Sequence, residues 1–483
     1  MSDDAISATV FLREYTRELR NKNAAVFAGA GLSAASGYVD WKTLLKEIIE
    51  DLGLDPMKEH DLVTLAQYHC NKAGGSKAQL TQTIFNHFAP AKVPTESHRI
   101  LARLPIQTYW TTNYDKLLER ALEEAKKVPD VKYTLKQLPV TKPDRDVVVY
   151  KMHGDIDHPA DAIISKDDYE AYPLNMSAFG SALRGDLVEK TFLFLGFSFT
   201  DPNIDYILSR VRVRYEQHQR HHYCLMRRVS KESAESDEEF KYRKLKQDYF
   251  IADLKRFSIY TVLIDEYSQI SELLGKLAAN YKSSSVFISG AAEDYGKWER
   301  HIAEEFLHKL SYQIVGNKNR VITGFGLGVG SAVINGALAF LNDSGKTVSD
   351  EDLMMRPFPQ VATGGMSLAD RWTEYRKAIV EHAGIALFVF GNKYDDKKNL
   401  VSSNGMRQEF DLCVQAGVRP LPVGATGFMA AELWKLVSND FAKYFPSADS
   451  SFRAAFDQLG DTSKTPDDIR GIVMGMIHQL QKT

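Results

Sequence analysis

His153 ends the run "DVVVYKMHGD", behind a stretch of β-branched and aromatic residues. An imidazole titrates near neutrality, so at the mouth of a strand it can accept a proton from a hydroxyl or a water. In "YWTTNYDKLLE", Thr112, Asn113 and Asp115 leave a second such run. Asn113 offers an uncharged amide that orients hydroxyls or water, whereas Asp115 can equally cap the helix that starts near Lys116. "VFAGAGLSAASGYVDW" places Gly29, Ala30, Gly31 and Ser33 between an apolar run and a helix-compatible one, where glycines let the backbone approach a pyrophosphate. A fourth run, "FLFLGFSFTDPN", ends in Gly196 and Ser198.

Residues so far apart in the chain converge only if their runs are parallel strands ending on one edge of a sheet. "AAVFAGAG", "LPIQTYWTTN", "DVVVYKMHG", "KTFLFLGFS", "HHYCLM" and "SIYTVLI" alternate with helical stretches, the rhythm of a doubly wound parallel sheet that collects ligands at its carboxyl edge. Phe11, Tyr15 and Leu19 recur every fourth position and predict an opening amphipathic helix with a packing role. A polar stretch at Lys282 to Ser285 marks a boundary, giving units 1–283 and 284–483. The second unit repeats the rhythm in "VFISGAA", "RVITGFGLGVGSAVINGAL", "GIALFVFGNK" and "RPLPVGATG". The expected class is α/β, with two Rossmann-like domains.

Composition narrows the partners. The 483 residues carry a net charge of -3 and no polybasic tail, which disfavours nucleic acid as the main partner. Apolar runs stay well short of the roughly 20 residues a membrane span needs, and the start lacks the basic and apolar blocks of a signal peptide. A cytoplasmic protein without membrane association is expected. Cys70, Cys224 and Cys413 lie far apart with no Cys-x-x-Cys spacing, so neither a disulfide framework nor a four-cysteine zinc site is expected, and no metal is assigned. His221, His222 and Cys224 read as the out-and-in alternation of a strand rather than as ligands.

The four first-unit motifs together resemble the sirtuin family: Gly29-Ala30-Gly31-Leu32-Ser33, Thr111 to Asp115, His153-Gly154 and Gly196-Phe197-Ser198 stand in the sirtuin order. The resemblance implies NAD+ bound over the first glycine turn, with its nicotinamide ribose near Asn113 and His153 as the catalytic pair. Gly29, Ala30, Gly31, Ser33, Asp40, Thr112, Asn113, Asp115, Gly196 and Ser198 are then the expected cofactor-binding residues. Two departures matter. The zinc module of sirtuin deacylases cannot be built, and their Pro-Asp-Phe-Arg loop stands here as Val39-Asp40-Trp41-Lys42. Water rather than an acyl-lysine then becomes the expected acceptor, with deacylation and a non-catalytic sensor as alternatives.

In the second unit, Gly324, Gly326, Gly328 and Gly330 follow a strand, and Ser289-Gly290-Ala291 ends another. This half resembles the SLOG superfamily, related to the nucleotide-processing LOG enzymes. The Pro-Gly-Gly-x-Gly-Thr signature of LOG enzymes is replaced by "GNKYDDKKNLVSSNGMRQEF", so binding without turnover is expected. The order of the two halves is similar to the SIR2–SLOG effectors of the Thoeris anti-phage systems. That resemblance implies a cyclic ADP-ribose isomer, made by a TIR-domain synthase, as activator, and a homo-oligomer, a tetramer able to form filaments. For such an anionic signal, Ser289, Gly290, Ala291, Gly326, Leu327 and Gly328 would supply turns, and Arg376 and Lys393 cations. Phe358 would supply an aromatic face, and Gly405 and Glu409 would meet ribose or base edges.

Overall fold

The computed structural model describes residues 4–233, 235–361 and 365–482. The chain divides between Ala278 and Ala279 into two compact units, inside the helix Gln269–Lys282. Ser283 and Ser284 are buried, and their hydroxyls close the end of that helix by donating to the Asn280 and Tyr281 carbonyls.

The first unit is built on seven parallel strands: β1 (Ala24–Ala28), β2 (Thr108–Thr111), β3 (Pro129–Lys132), β4 (Val147–Lys151), β5 (Thr191–Leu195), β6 (His222–Arg227) and β7 (Ile259–Ile264). Their order is β3-β4-β2-β1-β5-β6-β7. β1 and β5 are buried along their whole length, as continuous apolar runs in a doubly covered parallel sheet must be. The chain leaves β1 towards β2 on one side and β5 towards β6 on the other, so these two adjacent strands form the switch point where open α/β sheets hold ligands.

The opening helix forms as expected over Ala8–Arg20, with Phe11, Tyr15 and Leu19 essentially buried. The Tyr15 hydroxyl donates to the Ala25 carbonyl at 2.7 Å, which joins this helix to the central strand. β3 has no counterpart among the expected strands. It is a four-residue edge strand whose same-face pair Asp130 and Lys132 is buried as an ion pair at 2.8 Å, so its polarity hides it. On β6, His222 points inward and accepts the Phe192 N–H at 3.1 Å, while His221 is exposed.

The second unit has its own five-stranded parallel sheet: β8 (Ser285–Ala291), β9 (Arg320–Thr323), β10 (Leu353–Met355), β11 (Ile385–Phe390) and, after the small hairpin β12 (Asn392–Tyr394) and β13 (Leu400–Ser402), β14 (Arg419–Pro422). The order β10-β9-β8-β11-β14 puts its switch point between β8 and β11. The α/β class with two Rossmann-like sheets is as expected; β10 and the hairpin, three residues per strand, are too short to carry a periodic signal.

Two buried histidines of the first unit make stability fall in acid. His98 Nδ1 faces the Thr95 hydroxyl at 2.8 Å and its N–H at 3.3 Å in a capping box, and burial pushes its pKa down to about 4. Burial, aided by His221 and Arg220, lowers His222 to about 3. Depressed folded pKa values mean that the unfolded chain binds more protons below about 6.5, so stability is full above that pH and declines as pH falls towards 4. A melting temperature that stays level from pH 7 to pH 4.5 would contradict this.

Candidate functional site

The first site is assembled where β1 and β5 end. The Gly29 N–H donates to the Leu195 carbonyl and the Gly31 N–H to the Gly196 carbonyl, both at 2.9 Å, so two of the glycine-turn amides extend the sheet. A Cβ on Gly29 would stand 2.4 Å from the Gly196 oxygen, and one on Gly196, whose φ is +61°, would stand 2.2 Å from the Leu32 nitrogen. Here the glycines serve close packing of two strand ends, and that packing shapes the floor of the cleft above. The following helix, Ala30–Ala34, is a single turn.

Behind that turn, a chain of hydrogen bonds holds the segment after β2. Asp115, an acceptor when ionised, receives the Ser33 hydroxyl at 2.7 Å and the Leu117 N–H at 2.9 Å. Ser33 therefore accepts from the Asn113 amide nitrogen at 2.9 Å, whose other hydrogen goes to the Gly29 carbonyl at 3.0 Å. Both amide hydrogens are used, which sets the amide's orientation; Asn113, with Gly29, Ser33 and Asp115, stands behind the turn and is not among the residues that line the cleft above it. Asp115 thus both accepts the first N–H of the helix Leu117–Glu124, whose N-cap is Lys116, and fixes the polarity of this chain.

A cleft of about 680 Å³ opens over the switch point. Ala30, Gly31, Asp40, Thr112, His153, Gly196 and Ser198 of the expected residues line it. Asp40 also caps the short helix after it through the Thr43 N–H at 2.8 Å, and Ser198 pairs with the Thr200 hydroxyl at 2.7 Å. Trp41 and Tyr169 stand in the wall, with ring centroids 6.4 Å apart, and Tyr169 meets the His153 ring edge-on at 5.5 Å. Only 2% of His153 is exposed.

Three residues here escaped the sequence reading. Asp201 Oδ2 lies 2.9 Å from His153 Nε2. Tyr169 packs on the same imidazole. Lys151, two residues before His153, is wholly buried beneath both loops. Its ammonium shares three N–H groups among four acceptors, the Tyr114 carbonyl at 3.0 Å, the Asp115 carbonyl at 2.6 Å, Glu119 at 3.0 Å and Asp155 at 2.5 Å. It therefore ties the segment carrying Asn113 to the segment carrying His153. Burial pulls its pKa down, but Glu119 and Asp155 outweigh this and raise it.

In the second unit the glycine turn after β9 leans on the end of β8. A Cβ on Gly326 would stand 1.8 Å from the Gly290 oxygen, and one on Gly328, at φ +71°, 2.0 Å from the Ala292 oxygen. The Ala292 N–H donates to the Leu327 carbonyl at 2.8 Å, and Leu327 is exposed. Ser289 donates to the buried Glu409 at 2.5 Å; burial raises the Glu409 pKa against the opposing pull of Ser289 and Arg376. Arg376 lies 3.5 Å from Glu409 and 5.1 Å above the Phe358 ring, whose rim packs where a Cβ on Gly324 would be. A Cβ on Gly405 would stand 2.9 Å from Arg376 Nη2. Ser289, Gly290, Ala291, Gly326, Leu327, Gly328, Phe358, Arg376, Gly405 and Glu409 thus form one cluster at the carboxyl edge, with Arg376 already paired. Lys393 is exposed on the β12–β13 hairpin. Gly326→Ala is expected to displace the turn, because the clash is with backbone; a signal response equal to wild type in that variant would count against its role.

Two family profiles match the chain: a SIR2-like domain over residues 107–252 and the Sir2- and TIR-associating SLOG family over residues 269–480. Among curated proteins, the chain is 46% identical over 471 residues to the NAD(+) hydrolase ThsA of Bacillus cereus (strain MSX-D12), covering 98% of each chain. It is 44% identical to that of Acinetobacter baumannii (strain 532279), over 95% of this chain and 96% of the relative. The identity to that of Cytobacillus dafuensis is 43%, over 99% and 97%.

Proposed function

Because the chain belongs to the ThsA family of NAD(+) hydrolases, we propose that the cleft over β1 and β5 cleaves NAD+ to nicotinamide and ADP-ribose, with His153 as base and Asn113 as orienting amide. The observation that carries the assignment to this cleft is the meeting of His153 with the glycine turns of two adjacent strands at the switch point. The C1′–N bond breaks with its electron pair leaving on nicotinamide, through an oxocarbenium-like state. Water oxygen bonds to C1′ and the proton it loses passes to His153 and then to solvent. The Asn113 oxygen accepts from a ribose hydroxyl or from that water. Chromatography of NAD+ incubated with purified protein, without peptide, tests the reaction; consumption only with an acyl-lysine peptide would overturn it.

The second-unit cluster is the proposed seat of a cyclic ADP-ribose isomer that switches the hydrolase on, a signal made by a TIR-domain synthase, with NAD+ depletion as the antiviral outcome. Two glycine turns, an arginine on an aromatic ring and a buried glutamate suit an anionic nucleotide with polar base and ribose edges. Assembly into a homo-oligomer, a tetramer able to form filaments, is the proposed working form, in the cytoplasm. Among the described residues no helix is long and apolar enough to cross a membrane, and no group of three or more His, Cys, Asp or Glu could hold a metal. Lys393→Glu is expected to abolish activation by cyclic ADP-ribose isomers while leaving the melting temperature unchanged, since Lys393 is exposed. Calorimetric titration with unaltered affinity would remove Lys393 from the site.

A further inference from the structure

We propose that Asp201 is the positioning residue for His153, holding the imidazole through Nε2 so that Nδ1 is the nitrogen that takes the proton. This rests on the hydrolytic reading of the cleft. Asp201 is itself immobilised: Oδ1 accepts the Asn203 and Ile204 N–H groups at 2.9 and 3.1 Å, as cap of the helix Pro202–Tyr215. Its other oxygen, Oδ2, is the one 2.9 Å from His153 Nε2, and the two side chains are 8% and 2% exposed. Burial opposes charge on Asp201, yet His153 and the two backbone donors hold its pKa below the ordinary carboxylate value. It therefore stays ionised at neutral pH.

An ionised carboxylate only accepts, so the hydrogen of a neutral imidazole belongs on Nε2 and the lone pair on Nδ1. Both imidazole nitrogens of His153 are buried without an aligned hydrogen bond, and the one that has a carboxylate oxygen beside it, at 2.9 Å, is Nε2. In the reaction the O–H bond of water breaks, its oxygen joins C1′, and the proton reaches Nδ1. The resulting imidazolium is offset by the Asp201 charge, the same division of labour as in a base held by a carboxylate in hydrolytic triads. The other ionisable groups around the pair are Tyr169, edge-on to the ring, Tyr114 and Tyr172 near Asp201, and Asp40, Lys42, His60, Asp61, Lys166 and Glu170 on the cleft wall.

Asp201→Asn separates this role from capping, because asparagine caps a helix as well as aspartate but carries no charge. The assay follows NAD+ hydrolysis by full-length protein with a panel of cyclic ADP-ribose isomers, together with melting temperature. Expected are an unchanged melting temperature, a kcat lower by roughly 10–100-fold, and a KM changed less than about threefold. The acidic limb of the pH profile should move to lower pH, since an imidazolium without its carboxylate releases its proton more readily. Asp201→Ser, which also caps, should behave the same way. Equal or higher activity in Asp201→Asn, or lost activity with an unmoved pH profile, overturns the assignment alone. An inert wild type overturns the hydrolytic reading and this one with it.

Discussion

His153→Ala is expected to lower NAD+ hydrolysis by about 10²–10⁴-fold, the range a positioned general base contributes. The ring is buried against Tyr169 and Asp201, where an alanine supplies no proton acceptor. Truncation also leaves Asp201 without its imidazole partner. That carboxylate keeps two backbone donors, so a loss of stability of roughly 1–3 kcal/mol is expected rather than unfolding. His153→Gln, which refills the site with a polar group that cannot act as a base, should be as inactive with a smaller stability change. Product chromatography beside thermal melting checks both; more than a tenth of wild-type turnover in a folded variant would remove His153 from the chemistry.

Lys151→Met should produce the largest stability change, a loss of about 3–5 kcal/mol, because removing one partner leaves Glu119 and Asp155 buried without a countercharge. The Tyr114 and Asp115 carbonyls lose their donor at the same time. The triple variant Lys151→Met, Glu119→Gln, Asp155→Asn removes the orphaned charges and should recover part of that loss. Urea unfolding followed by tryptophan fluorescence reads both units, with Trp41 and Trp110 in the first and Trp298, Trp372 and Trp434 in the second, so the first-unit transition is the one that shifts in the variant. A shift of under about 1 kcal/mol in the single variant would contradict the account.

How far the chain was legible without coordinates follows from what each element must do. β1, β5 and β11 are buried throughout, and only a continuous apolar run satisfies both faces of a parallel sheet, so their sequences announce them. β3 carries an inward aspartate and lysine that neutralise each other, and that reads as a charged turn until the ion pair is visible. The glycines were legible as close-approach positions, but whether the approaching group is a phosphate or another strand end is a question of what lies opposite. At Gly29 and Gly31 it is Gly196.

Asp201 marks the same limit. An aspartate followed by proline is the signature of a helix start, and the cap is there. That it also faces His153 could not be read, because β4 and β5 are separated in the sheet by β2 and β1, and only the loops folding over that edge bring the two together. By itself the sequence determined the strand–helix rhythm, the two sheets and the delivery of Asn113 and His153 to strand ends, since these depend on periodicity and local propensity. The tertiary structure decided the flip of the Asn113 amide, the burial of Lys151 under both loops and the carboxylate on His153, because each depends on which distant group fills the neighbouring space.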